Sequence, residues 1–299
     1  MAMFAARDDG PPSRGDEYKL SMGGAESNVA IGLARLGVRS SWVGRVGDDA
    51  LGRLIERELR AEKVTAHVTI DDASTGLMLK HRRTAHTQQV DYHRTDSAGS
   101  HIRPADLEGR LTGASVVHMT GITPALSASG ADAVRLAVRS PAQFVSYDLN
   151  HRTSLWSATA ARAFHQEILA DVDVVFAGLD EARLVLDKDC SAEDAGRGLQ
   201  ELGPRIAVVK LGSRGALAST GEGIIERAAK SIVAVDTVGA GDAFVAGWLA
   251  GHVEGRDLAG CLDLGNAAGA FACMSYGDWE GYGTREELRM LDHDDPVTR

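Results

Sequence analysis

The residues of this chain best placed to do chemistry lie in one short run, Asp236-Thr237-Val238-Gly239-Ala240-Gly241-Asp242. An apolar, strand-like stretch, Ile232-Val233-Ala234-Val235, leads into it. Phe244-Val245-Ala246-Gly247-Trp248-Leu249-Ala250 leaves it with helical spacing of its large apolar residues. A strand that turns through small residues into a helix presents unpaired backbone N–H groups, and the positive end of the helix dipole, to the turn. That arrangement suits an anion, a phosphate above all. Gly239, Ala240 and Gly241 are the expected anion hole, and Asp242 sets a carboxylate at its mouth where it can accept a proton. The combination suits phosphoryl transfer to a hydroxyl. An ordinary strand–helix turn with a capping Asp has the same composition, so the rest of the chain has to separate the two.

Further sets bear on that choice. Lys210-Leu211-Gly212-Ser213-Arg214-Gly215 closes the apolar strand Ile206-Ala207-Val208-Val209. Its glycines let the backbone pass close to a nucleotide phosphate or ribose, with Lys210 or Arg214 supplying charge; a plain hairpin turn reads the same way. It is not a Walker loop, since no Gly-Lys-Ser/Thr follows, and Gly239-Ala240-Gly241 does not extend to G-x-G-x-x-G. Asn150-His151-Arg152 follows the strand Phe144–Leu149. Ligands of an open parallel sheet bind outside the carboxyl ends of its strands, so Asn150, Arg152, Lys210 and the Gly239–Asp242 turn should share one rim. The fork of Arg152 fits a carboxylate or a phosphate. Glu181 opens a helix and suits either water orientation on Mg²⁺ or the helix dipole. His118 and His165 have no partner at metal-ligand spacing.

The elements that must hold these residues alternate between strand and helix. A strand at Ser41–Val46, helices near Asn28–Leu36 and Leu51–Leu59, and a regular alternation after Pro104 predict a parallel sheet covered by helices. Between Val64 and His101 the rhythm breaks into three strand-like pieces, Ala66–Ile70, Gly76–Arg82 and Gln88–Arg94. Such an excursion suits a small β lid, and its His81, Arg82, Arg83, His86, His93 and Arg94 make it basic. A solvated sheet face has the same composition. The expectation is one α/β domain over 1–299, doubly wound, with a lid formed by about 5–22 and 65–101.

Composition narrows the function classes. The chain has 299 residues, 44% of them hydrophobic, which is ample for a core, and a net charge of −10. With no long basic run, nucleic acid and anionic membrane are not the expected partners. No stretch is long and apolar enough for a membrane span, and Met1-Ala2-Met3-Phe4 is too short for a signal peptide. Cys190, Cys261 and Cys273 include no CxxC pair and read as reduced thiols of a cytoplasmic protein.

Two separated segments together resemble the PfkB (ribokinase-like) sugar kinase family. They are Gly23-Gly24-Ala25-Glu26-Ser27-Asn28-Val29-Ala30, with Gly37 and Gly47 beyond it, and the Asp236–Asp242 run. Within the family the first segment, Asp148–Trp156 and Ala177–Glu181 are most similar to 2-keto-3-deoxygluconate kinases. The resemblance implies a ribokinase-like fold and ATP-dependent phosphorylation of a sugar-acid hydroxyl, with Asp242 as base. It implies that Gly23, Gly24 and Asn28 meet the sugar, that Tyr92 and Arg94 reach it from the lid, and that Arg152 meets the sugar acid or the phosphates. Asn150, Lys210, Gly212, Ser213, Gly215 and Asn266 would line the nucleotide. Mg²⁺ would be held through water by Glu181, although Gly178 replaces the Asn of the family's Asn-x-x-Glu. Asp236 and Thr237 would lie by a monovalent cation, K⁺. The family pattern also has a core strand ahead of Met1, so one sheet position is expected to be empty or filled otherwise. The lid's edges suit a homo-oligomer. Another PfkB kinase, for fructose, ribose or a nucleoside, and a non-catalytic sugar-binding regulator are the rival readings.

Overall fold

The computed structural model describes residues 1–84, 87–140 and 144–292; His86 of the basic set lies outside them. The first half supplies β1 (Ala2–Asp9), β2 (Tyr18–Met22), α1 (Ala25–Arg35), β3 (Ser41–Gly47), α2 (Ala50–Ala61), β4 (Thr65–Asp71), β5 (Leu77–Thr84) and β6 (Thr87–His93). Four of these strands make one sheet of order β2-β1-β5-β6, the sheet expected as the lid. On β5 the alternate residues Met78 and Lys80 are buried, which is how a strand turns one face to a site. The lid differs from expectation at β4. That strand pairs parallel with β3, from Ser41↔Thr65 to Gly47↔Asp71, and takes no part in the lid sheet. The connection through α2 explains this, because a strand–helix–strand unit returns its second strand parallel to its first. Residues 98–107 form two short 3₁₀ turns rather than lid strand.

The second half is the doubly wound layer. It comprises β7 (Val116–Thr120), α3 (Ile122–Leu126), α4 (Ala128–Val138), β8 (Phe144–Asp148), α5 (Ala158–Ile168), β9 (Val174–Gly178), α6 (Leu179–Leu186), α7 (Ala192–Glu201), β10 (Ile206–Lys210), β11 (Ala216–Thr220), β12 (Gly223–Arg227), α8 (Ala240–Val253), α9 (Leu258–Ala272) and α10 (Arg285–Arg289). The sheet order is β12-β11-β10-β9-β8-β7, parallel from β7 to β10 and antiparallel beyond. Val174-Val175-Phe176-Ala177 is apolar throughout because both its faces are covered. Val175 and Ala177 pack under α4 to α7, while Val174 and Phe176 pack against α8 and α9. α8 is buried all round, hence its unbroken run of apolar and small residues. The Ile232–Val235 run, expected as a strand, is not one. It pairs with no strand, Val233 is 87% exposed, and Val235 and Asp236 donate instead to the Cys273 carbonyl.

Among the described residues β3 pairs only with β4, and β7 only with β8. Their free edges face one cavity of about 890 Å³, lined by Trp42, Val43, Val117 and Met119 with Val29 of α1 and Val134 of α4. The same cavity is walled by Asn28, Arg94, Arg152, Gly239 and Asp242.

Candidate active site

Gly239 is the N-cap of α8 with φ 77°, a left-handed conformation, and a Cβ there would run into the Asp278 carbonyl oxygen. Only glycine serves at this point. Tyr282 Oη donates to the Gly239 carbonyl at 2.7 Å and fixes the plane of the turn. Among the described residues the Gly239 and Gly241 amides have no acceptor, while Ala240 N leans on the Thr237 carbonyl at 3.3 Å. The three expected anion-hole residues therefore open a fourteen-residue helix with free donors in its first turn.

Asp242 stands in that first turn. Its Oδ2 accepts from Asn28 Nδ2 at 2.9 Å, joining α8 to the first turn of α1. Asn28 is 2% exposed and its Oδ1 faces the Gly24 amide at 3.4 Å, so its orientation is set from both ends. Burial pushes the Asp242 carboxyl up to about 7; the Asn28 bond pulls against this, Asp148 adds to it and Lys210 opposes it. A carboxyl raised toward neutrality in this way suits a general base.

Lys210, at the end of β10, donates from Nζ to Asp148 Oδ2 at 2.6 Å. It also lies beside Gly241, with Nζ 3.8 Å from where a Cβ on that residue would sit. Glu181 sits close by, but as a cap: Oε1 accepts from His151 N at 2.8 Å and Oε2 from Gly178 N at 2.6 Å. Burial holds its carboxyl above the usual range, and the neighbouring Asp148 adds to that, against the pull of Lys210.

The expected sugar side gathers as one wall. Gly23 packs on Asp278 and Met78, and Gly24 caps α1. Arg94 stacks its guanidinium 4.3 Å from the centre of the Tyr92 ring. It is 7% exposed, and its Nε has no hydrogen-bond partner. Burial lowers its pKa, and the like charge of Arg152 adds to this. Neither Arg94 nor Arg152 has a carboxylate within ion-pair distance among the described residues. Two cations beside each other in a cavity wall, one of them buried and incompletely bonded, suit an anion.

The residues expected on the nucleotide side lie outside that cavity. Asn150, with φ 37°, hangs its amide on Asp148 Oδ1 at 3.3 Å. Gly212 and Ser213 are exposed on a short 3₁₀ turn. Gly215 has φ 103° and its α-carbon faces the Arg227 carbonyl with no room for a side chain. Asn266 of α9 donates from Nδ2 to the Arg227 and Ala228 carbonyls, at 3.0 and 3.2 Å. Gly215 and Asn266 thus meet at the same segment, but the amide nitrogen of Asn266 is already occupied there. Thr237 is exposed, and Asp236 is buried against Lys80.

This geometry is matched by known proteins. The family model described as "pfkB family carbohydrate kinase" matches residues 1–282. The chain belongs to the PfkB family. It is 38% identical to a 2-dehydro-3-deoxygluconokinase of Bacillus subtilis (strain 168), over 96% of this chain and 91% of that protein. It is 35% identical to a 2-dehydro-3-deoxygluconokinase of Thermoproteus tenax, over 92% and 86%. A crystal structure of a PfkB protein from Polaromonas sp. JS666 superposes with a TM-score of 0.86 at 32% identity, covering 97% of this chain and 96% of the other.

The protein is therefore an ATP-dependent sugar kinase with a ribokinase-like fold, and its reaction calls for a divalent metal with the nucleotide. Asp148 and Glu181 bring hard carboxylate oxygens near Lys210, but both Glu181 oxygens already accept from backbone amides and Asp148 from Lys210, so these residues would meet such an ion only through water. Among the described residues no helix is long and apolar enough to cross a membrane. Three further charged or bonded residues beside the candidate site were not singled out from the sequence. Glu26 accepts from Thr120 Oγ1 and Thr123 Oγ1, both at 2.7 Å, and ties α1 to β7. Asp148, only 1% exposed, and Asp278, 8% exposed, are charged residues that the rim argument could have found, since each ends a strand or loop there.

Proposed function

We propose that the kinase phosphorylates the 6-hydroxyl of a 2-keto-3-deoxy sugar acid, 2-keto-3-deoxygluconate, with Asp242 as base. The observation that carries this reading is the Arg94–Arg152 pair, which shares a cavity wall with Asp242 and lacks an anionic partner among the described residues. A carboxylate on the sugar supplies that partner, and the names of the Bacillus subtilis and Thermoproteus tenax relatives agree with it.

In the proposed reaction Asn28, hydrogen-bonded to Asp242, orients both the carboxylate and the incoming hydroxyl. As the hydroxyl oxygen bonds to the γ-phosphorus, its proton passes to Asp242 and the bond from that phosphorus to the ADP oxygen breaks. The Gly239 and Gly241 amides and Lys210 take up the negative charge of the phosphoryl group in flight. Mg²⁺, when bound with ATP, neutralises charge on the phosphates; Asp148 and Glu181 are the residues that would face its water shell. The lid residues Tyr92 and Arg94 exclude water from the sugar side.

A panel of sugars in a coupled ATP assay tests the substrate class. The sugar acid should exceed fructose, ribose and nucleosides in kcat/KM. Arg94→Ala and Arg152→Ala should each raise KM for the acid by about 10- to 100-fold, the worth of a charge-assisted hydrogen bond. They should change KM for a neutral sugar little. Equal losses on both substrates would count against the arginines as carboxylate readers.

A further inference from the structure

We propose that Lys80 is the built-in cation of the phosphate turn, a positioning residue that makes a soluble monovalent ion unnecessary there. The inference rests on reading the Gly239–Gly241 turn as the phosphate cradle, and it does not depend on which sugar is phosphorylated.

Lys80 comes from the lid, yet it is 5% exposed and its ammonium sits between two carboxylates from other loops. Nζ is 2.9 Å from Asp236 Oδ2 and 3.6 Å from Asp278 Oδ1. Each carboxylate, 8% exposed, is built into the turn. Asp236 Oδ1 accepts from Val238 N at 3.1 Å, one residue before Gly239, and Oδ2 also faces Gly277 N at 3.4 Å. Asp278 presses its carbonyl on Gly239 so closely that no side chain fits. One ammonium therefore clamps the loop that carries the anion-hole amides to the loop that packs beneath them.

The charge balance explains why a cation is needed. Two buried carboxylates from facing loops repel each other, and both are largely shielded from bulk water. Asp278 shows the strain: burial, Glu280 and Asp236 push its carboxyl up to about 6, with Lys80 pulling it down. Removing the ammonium would leave the pair unneutralised and let the loops part, moving the Gly239 and Gly241 donors away from the transferred phosphoryl. A small monovalent cation entering the vacated volume could restore the clamp; a filled apolar volume could not.

The test uses Lys80→Ala, which leaves room, and Lys80→Met, which fills it. Turnover of whichever sugar the panel finds active is measured in tetramethylammonium buffer, with and without KCl or NH₄Cl. The wild type should change less than about twofold on adding either salt, whereas Lys80→Ala should lose about 100-fold in kcat, as for a charge lost from a preorganised site, and regain about tenfold with NH₄⁺ or K⁺. Lys80→Met should lose as much and regain nothing. A wild type that needs K⁺, or a Lys80→Ala enzyme that folds and is not rescued, would overturn the proposal. Thermal stabilisation by ATP, read on the same variants with and without the salts, follows the cradle without any sugar. It separates a failed clamp from a wrong substrate, and a wild type that needs K⁺ overturns the proposal even if Lys80→Ala does not fold.

Discussion

Asp242→Asn should make the kinase more stable and nearly inactive, and both effects should depend on pH in a defined direction. The Asp242 carboxyl is pushed from 3.8 to about 7, chiefly by burial, so the folded state prefers it protonated. Below about pH 4 it is protonated folded or unfolded, and it costs nothing. Between about pH 4 and 7 the unfolded chain gives up the proton first, so stability falls as pH rises. Above about pH 7 the penalty is complete; a shift of about three units at 1.36 kcal/mol each sets its ceiling near 4 kcal/mol. Asparagine keeps the shape and cannot ionise. Denaturant unfolding should then show Asp242→Asn more stable than wild type at pH 8 and equal to it at pH 4. In the coupled assay, wild-type kcat/KM should fall tenfold per pH unit below about 7, reaching about one-hundredth of its plateau near pH 5. The variant should lose about 10²- to 10⁴-fold in kcat, with ATP still bound, because it lacks the base. Near-normal turnover, or a variant less stable than wild type at pH 8, would refute the reasoning.

Two further substitutions probe the same turn. Asn28→Ala removes a hydrogen bond to the charged form of Asp242, worth about 1.5–3 kcal/mol, so the acid limb of the pH profile should move up by about one to two units; a limb that stays in place would disconnect Asn28 from the base. Gly239→Ala forces a side chain against the Asp278 carbonyl at a positive φ. It should cost about 1–3 kcal/mol in unfolding free energy and abolish stabilisation by ATP, and retained ATP stabilisation would show that the turn does not hold phosphate.

Much of the layered fold was legible because apolar runs bounded by turns report burial directly. β8 and β10 lie within a residue of their expected bounds, and the two segments that carry the resemblance touch, through Asn28 and Asp242. What was not legible depended on partners. Ile232–Val235 has the composition of a strand, but no edge lies beside it to bond with. β4 reads like a lid strand, and only its parallel register with β3 assigns it elsewhere. Lys80 escaped notice because a single lysine on an alternating strand looks like its exposed face; the clue was its place two residues from Met78, on the inward side. Glu181 was expected at a metal, yet both its oxygens cap backbone amides, a role that its first-turn position already allowed.

The placing of the site's two lysines supports the proposal that Asp242 is the base. Lys210 is near enough to Asp242 to lower its pKa, and a direct pair would return the carboxyl toward its ordinary range, too weak to take a hydroxyl proton at neutral pH. Asp148 prevents this by holding the Lys210 ammonium at 2.6 Å. On the other side Asp236 and Asp278 hold Lys80 in the same manner. Each cation is thus satisfied by a carboxylate other than Asp242, which keeps only the neutral donor of Asn28. The site can therefore carry positive charge for phosphates within reach of the proposed base without silencing it, and the arrangement fails if Asp148 is exchanged for a residue that lets Lys210 turn to Asp242.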